Sequence, residues 1–250
     1  MNIISIIPAR MSSSRFPGKP MKKILGMPMI GHVYKRVKMC KTLKEVYVAT
    51  CDIEIFNYVN SIGGKAIMTS DKHERCTDRC AEAMLKIENE TNDKCEIIIL
   101  VQGDEPLVNP KMIDDAIAPL VKDKSITITN LVADIKTIED FENKNEIKVV
   151  LDKYNNALYF SREPIPSRSK SELKVPMKKQ VCIIPFTRDF LITYNEMKPT
   201  PLEIVESIDM MRVLENGGKV KMVHTEFFTK AVDTPKDLKL VEELMKKDEL

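Results

Sequence analysis

Residues 96–106 read Glu96-Ile97-Ile98-Ile99-Leu100-Val101-Gln102-Gly103-Asp104-Glu105-Pro106, an unbroken apolar run that stops at a polar turn. A strand that is apolar at every position is covered on both faces, the situation of a parallel sheet with helices on either side. The closing turn then falls at the C-terminal end of the strand, where open α/β sheets bind their ligands. Upstream, residues 3–7, 45–50 and 65–69 read as further strands. Between them lie helical patterns over 29–37 and 53–62, the second ending at Gly63-Gly64. A third pattern over 78–88, with Ala81, Met84, Leu85 and Ile87 at helical spacing, leads back into 96–101. This alternation predicts an α/β fold and excludes an all-β or all-helical one.

Downstream the order changes. Residues 126–135, 147–151 and 157–160 are strand-like with no long helix between them, and Tyr154-Asn155-Asn156 has the composition of a hairpin turn. This middle stretch predicts an antiparallel excursion from the main sheet. Residues 167–174, rich in Ser, Lys and Glu, read as an exposed loop before a strand at 181–186. The tail returns to α/β order: a helix over 202–215, a stop at Gly217-Gly218, a strand at 220–224 and a last helix from Pro235 onward. With no internal repeat and no long linker, the chain reads as one domain over 1–250 with an antiparallel insertion around 125–190.

Composition narrows the function classes. With 250 residues, 43% hydrophobic and 30% charged, the chain can bury a substantial core. Thirty-nine Lys and Arg against 37 Asp and Glu leave a net charge of +2, too balanced to suggest a nucleic-acid partner. The apolar run 97–101 is far shorter than the roughly 20 residues of a bilayer span, and no signal peptide or membrane anchor is visible. The six cysteines are scattered without a C-x-x-C pair, which suits a reducing, cytoplasmic setting and suggests neither a zinc knuckle nor a disulfide framework.

Three stretches can carry chemistry. The first is Pro8-Ala9-Arg10-Met11-Ser12-Ser13-Ser14-Arg15-Phe16-Pro17-Gly18-Lys19-Pro20, a hydroxyl-rich loop with three cations directly after the first strand. Backbone N–H groups, serine hydroxyls, Arg10, Arg15 and Lys19 suit a polyphosphate, although the loop is neither a Walker A sequence nor G-x-G-x-x-G and also reads as a solvated basic loop. The second is the Gln102–Pro106 turn, where Asp104 is a ligand-site carboxylate or simply a turn residue. The third is Ala231-Val232-Asp233-Thr234-Pro235, which equally has the form of a helix N-cap followed by proline. Of the histidines, His32 within a predicted helix and His224 at a strand end read as structural or exposed rather than catalytic.

Taken together and in order, the basic loop, Q-G-D-E-P, A-L-Y-F-S-R at 157–162, P-x-P-L-E at 199–203 and V-D-T-P resemble the CMP-KDO synthetases, the 3-deoxy-manno-octulosonate (KDO) cytidylyltransferases. The resemblance runs over essentially the whole chain. It implies a mononucleotide-binding, Rossmann-like fold, mostly parallel and flanked by helices, with the antiparallel excursion as the dimerisation region of a homodimer. It also implies CTP and Mg²⁺, a CMP-activated product for lipopolysaccharide or capsule synthesis, and pyrophosphate as the leaving group. By the same resemblance Arg10 and Lys19 hold the CTP phosphates, with Arg15 beside them, and Asp104 and Asp233 carry Mg²⁺. These four, Arg10, Lys19, Asp104 and Asp233, are the expected catalytic set. Ala9, Thr77, Arg79, Gln102 and Gly103 complete the nucleotide contacts. Mg²⁺ favours carboxylate, water and phosphate oxygens and commonly takes one or two protein carboxylates, which fits this pairing.

The departures from the family pattern cluster on the acceptor side. Where the family has H-x-S-G-T-D-R the chain has His73-Glu74-Arg75-Cys76-Thr77-Asp78-Arg79, in which Thr77 or Asp78 is also a plausible N-cap. Where it has H-x-G-x-Y the chain has Gln180-Val181-Cys182-Ile183-Ile184, and a Glu-Gln pair is replaced by Asp209 and Met210. Gln102, Arg162, Arg168, Gln180, Asp209 and Arg75 remain as expected contacts to a small anionic acceptor. Arg162 suits a carboxylate or phosphonate, or else a surface or dimer salt bridge. Lost hydrogen-bonding groups cost about 1–3 kcal/mol each in a buried pocket. The expectation is therefore cytidylyl transfer to an acceptor other than ordinary KDO, such as a modified sugar acid, a small non-sugar acid or a phosphonate. The alternatives are KDO itself, with Gln180 and Asp209 compensating, and a catalytically degenerate nucleotide-binding protein.

Overall fold

The computed structural model describes residues 1–13, 15–169, 175–248 and 250. Ser14 of the basic loop and residues 170–174 of the expected exposed loop lie outside them. The first half runs β1 (Ile3–Ala9), a 3-10 turn (Lys19–Met21), β2 (Lys23–Ile24), β3 (Met27–Pro28), α1 (Met29–Lys38), β4 (Glu45–Thr50) and α2 (Ile53–Ser61). It continues through β5 (Lys65–Met68), α3 (Cys76–Thr91), β6 (Ile97–Val101) and α4 (Pro110–Lys122). The second half runs β7 (Thr129–Asp134), α5 (Ile138–Glu142), β8 (Lys148–Leu151), β9 (Ala157–Ser161), β10 (Lys178–Val181) and β11 (Ile183–Thr187). It closes with α6 (Arg188–Glu196), α7 (Pro201–Glu206), α8 (Met210–Glu215), β12 (Lys221–His224) and α9 (Pro235–Met245).

The main sheet has the order β11-β6-β1-β4-β5, with β6, β1, β4 and β5 parallel and β11 antiparallel against β6. All seven residues of β1 and all five of β6 are buried, as the unbroken apolar character of β6 requires, and Ser5, the polar residue of β1, donates its hydroxyl to the Ile99 carbonyl at 3.1 Å. One apolar cluster joins Ile7, Ile99 and Val101 to Ile30, Val33 and Val37 of α1 and Ile113 and Ile117 of α4. Another joins Ile6, Ile98 and Leu100 to Met84 and Ile87 of α3. The fold is thus the expected parallel-rich α/β arrangement. No helix among the described residues is long and apolar enough to cross a membrane.

The middle stretch forms a second sheet, β12-β7-β10-β8-β9. Its β8–β9 hairpin turns at Asn155, whose φ of 60° is left-handed. Three expectations need correction. The strand expected at 181–186 is two strands, because Val181 pairs with Leu131 in the small sheet while Ile183 pairs with Val101 in the main one. The chain crosses between sheets at Cys182, and a continuous apolar run carries no mark of such a crossing. The helix expected over 202–215 is also two, broken where Ser207 adopts a φ of 54°. Finally, α4 and α6 were not anticipated, although α4 opens with Pro110 behind the N-cap Asn109.

Candidate active site

The loop after β1 is folded back on itself before it reaches Lys19. Met11 donates its N–H to Asp52 Oδ2 at 2.8 Å, and Gly18 donates to the Met11 carbonyl at 3.0 Å. Gly18 takes a φ of 68°, a conformation that favours glycine. The turn directs Lys19 inward, where Nζ donates to Asp104 Oδ2 at 2.6 Å and to Asp233 Oδ1 at 3.3 Å. Arg15 approaches the same Asp233 oxygen at 3.0 Å. The two aspartates, 129 positions apart in the sequence (233 − 104), are also joined through the backbone, since Val232 N–H donates to the Asp104 carbonyl at 2.9 Å. Thr234, not Asp233, caps α9 in a reciprocal pairing with Asp237. That leaves the Asp233 carboxylate free for the site.

Electrostatics mark this junction as charged and tight. Burial alone would lower the Lys19 pKa, but Asp104 and Asp233 more than offset it and hold the ammonium above its ordinary value. Burial, followed by repulsion from Asp104, raises Asp233, with Lys19 and Arg15 pulling the other way. Asp104 Oδ1 is buried with no hydrogen-bond partner. Among the described residues no group of three or more His, Cys, Asp or Glu is arranged to hold a metal ion. Two converging carboxylates with a free buried oxygen nonetheless fit a hard divalent cation that takes its other ligands from phosphate and water.

Two cavities meet at Asp104. The first is walled by Ala9, Arg10, Ser12, Ser13, Arg15, Lys19, Arg75, Gln102 and Gly103. Among the described residues the exposed Arg10 guanidinium has one long contact, to the His73 carbonyl at 3.4 Å. Gly103 lets the β6 turn press on β1, since a Cβ there would lie 3.0 Å from the Pro8 carbonyl oxygen. Thr77 and Arg79, expected at the nucleotide, do not line this cavity. Thr77 is fully buried and donates its hydroxyl to Asp209 Oδ2 at 2.7 Å. Arg79 is buried and binds Thr69 Oγ1 and the Ser70 carbonyl at 2.5 and 3.1 Å, supporting the turn that presents His73 to Arg10.

The second cavity lies at the seam where the chain passes from β10 to β11. Gln102, Arg162, Gln180 and Asp209 all line it, together with Arg15, Asp104 and Asp233. Arg162 donates to the carbonyls of Glu206, Lys144 and Ser207 at 2.8, 3.1 and 3.2 Å. It thereby ties the α7–α8 turn to β9. Gln180 donates to Asn130 Oδ1 at 2.5 Å. Arg75 faces the first cavity instead, bonded to Ser207 Oγ at 3.0 Å and paired with Glu203 and Asp209 at 3.6 and 3.8 Å. Arg168 reaches neither cavity; it pairs with Glu142 at 3.6 Å over the Phe141 ring. Met210 is buried in the core.

Sequence patterns passed over several residues of the seam. Glu146 lies between Lys179 and Lys230 at 3.0 and 2.8 Å, and no local spacing announces that trio. Glu105 adjoins Asp104 in the same turn, a signal that was available. It is 6% exposed, and burial, followed by repulsion from Asp104, pushes its carboxyl up to about 8. Cys76 and Cys182 also face the seam. Burial pushes the Cys76 thiol up to about 12 and raises Cys182 as well, so neither is an ionised nucleophile at neutral pH.

A family model described as Cytidylyltransferase matches residues 4–226. The 3-deoxy-manno-octulosonate cytidylyltransferase of Geobacter metallireducens is 46% identical over 98% of each chain. That of Geotalea uraniireducens is 44% identical over 99% of this chain and 100% of its own. Among solved structures, CMP:2-keto-3-deoxy-manno-octonic acid synthetase complexed with CTP superposes with a TM-score of 0.89 at 36% identity, covering 99% of both chains. A putative glucose-1-phosphate thymidylyltransferase from Bacillus anthracis, at TM-score 0.68 and 14% identity over 99% of this chain and 97% of its own, shares the fold.

Proposed function

Because the chain belongs to the cytidylyltransferase family, we propose that it transfers CMP from CTP to KDO and releases pyrophosphate. The observation that carries this reading is Lys19, whose ammonium joins Asp104 and Asp233 where the two cavities meet. Arg10, Arg15 and Lys19 hold the triphosphate in the first cavity, with Ala9, Gln102 and Gly103 as its floor. The acceptor occupies the seam, against Gln102, Arg162, Gln180 and Asp209. Its anomeric hydroxyl oxygen forms the new bond to the α-phosphorus while the α–β phosphoanhydride breaks opposite, pyrophosphate leaves, and the hydroxyl proton passes to solvent water. Lys19 and Arg10 offset charge that builds on the phosphate oxygens. Asp104 and Asp233 would hold Mg²⁺, which supplies charge neutralisation at the triphosphate.

The near full-length likeness to 3-deoxy-manno-octulosonate cytidylyltransferases supports KDO as the acceptor, in place of the different acid expected from the changed sugar-side residues. Retention of both aspartates argues against a degenerate binder, which has little need of them. We assign the chain to one cytoplasmic domain, 1–250, acting as a homodimer. Exposed Leu158 on β9 supports a contact through the antiparallel insertion. The test is pyrophosphate release from each nucleoside triphosphate with Mg²⁺ and a panel of acids. Release with CTP and KDO is expected; no release with any acceptor, together with no CTP binding, would overturn the reading.

A further inference from the structure

The seam cavity is lined by both apolar and polar side chains, and several of the polar ones are already bonded within the protein. The apolar ones include Leu100, Ile147, Cys76, Cys182 and Ile184. The last three occupy positions where the resemblance led to an expectation of glycine, glycine and tyrosine. Among the polar ones, Glu146 is held by Lys179 and Lys230, Lys179 also donates to the Thr229 carbonyl at 3.1 Å, and the Gln180 amide donates to Asn130. Glu105 differs from these neighbours. It is more than nine-tenths buried and lines the cavity, and its carboxyl makes no hydrogen bond or ion pair with any group among the described residues.

A carboxyl this deeply placed, unpaired within the protein and lining a cavity, marks a position that a ligand donor completes. We propose that Glu105 is an acceptor-binding residue, accepting a hydrogen bond from a hydroxyl of the sugar acid. The inference rests on the seam being the acceptor site. Substrates lacking the matching hydroxyl leave the carboxyl unpaired and are rejected, the asymmetric discrimination that buried polar groups provide.

The test is steady-state pyrophosphate release by the full chain, with KDO and CTP varied separately. Wild-type turnover is measured first, and its absence overturns the acceptor site together with this assignment. With turnover present, Glu105→Ala is expected to raise the KM for KDO about tenfold or more, the loss of one hydrogen bond. The KM for CTP is expected to stay within twofold. Glu105→Gln, which keeps the shape and one accepting oxygen, is expected to show a smaller rise and carries the test should the alanine variant fail to fold. A KDO KM within twofold of wild type in the folded variants, or KDO and CTP constants rising together, overturns the Glu105 assignment and leaves the cytidylyltransferase function standing.

Discussion

On the β1 side of Asp104 Arg10 reaches into open space and Arg15 and Lys19 rest on the junction carboxylates, whereas on the seam side most charges are paired away from the junction. Among the described residues Arg10 has one long contact, and Arg15 and Lys19 converge on the Asp104 and Asp233 carboxylates, which the proposed metal–triphosphate would rearrange. Across Asp104, Arg162 is fixed by three carbonyls and Glu146 by two lysines. Cations that stand free or rest on exchangeable carboxylates suit a ligand of high, fixed charge that supplies its own ordering energy. A cavity whose polar groups are pre-bonded suits recognition by shape and by the few positions left free. The two halves should therefore respond differently to substitution.

The largest effect is expected at the junction. Asp104→Asn and Asp233→Asn should each lower turnover by about a thousandfold or more, the scale of removing a group that organises transferred charge. Folding disfavours the ionised form of Asp233, because its pKa is raised, so Asp233→Asn should leave the thermal midpoint unchanged or higher. Calorimetry alongside the assay checks this, and an unchanged rate in either variant breaks the account of the junction.

Lys19→Met comes next, with kcat/KM for CTP down about a hundredfold and the KDO constant changed least. Equal losses for both substrates would erase the distinction between the cavities. Arg162→Lys keeps the charge but cannot reproduce the forked contacts to Glu206, Lys144 and Ser207. It should cost about tenfold in kcat/KM for KDO with the CTP constant steady, the reverse of the Lys19 pattern.

The smallest effect concerns support behind the nucleotide side. Glu82 accepts from the Ser70 N–H and contacts His73 and Lys86. Burial would raise its pKa, but Lys86, the Ser70 N–H and His73 override this and hold it at about 2, below the ordinary 4.5. Folding thus favours the ionised form, and its contribution is complete above about pH 4.5 and lost as pH falls toward 2. Thermal midpoints should decline over that window, and Glu82→Gln should flatten the decline while lowering the plateau above it. A parallel curve for the variant would remove Glu82 as a cause.

The contrast between the cavities also explains what was legible in the sequence. The parallel strands and the turn bearing Asp104 follow from local apolar pattern, and the order of Lys19, Asp104 and Asp233 is read along the chain, so the junction was accessible. The seam was not, because it depends on where the chain changes sheets. Val181 and Ile183 are both apolar and buried, and nothing in their pattern assigns them to different sheets. Ser207 breaks a helix without interrupting its apolar spacing. Thr77 and Arg79 stand in the first turn of α3 but face the interior, where they hold Asp209, the Thr69 hydroxyl and the Ser70 carbonyl. Side-chain direction at a helix start is set by tertiary packing, which motif order does not encode.

A crystal structure of the protein with a cleavage-resistant CTP analogue, Mg²⁺ and KDO bears most directly on the shared junction. The account predicts the triphosphate on Arg10 and Lys19, its α-phosphorus beside Asp104, and KDO in the seam with a hydroxyl on Glu105. Phosphates bound away from Asp104, or KDO found outside the seam, would contradict it.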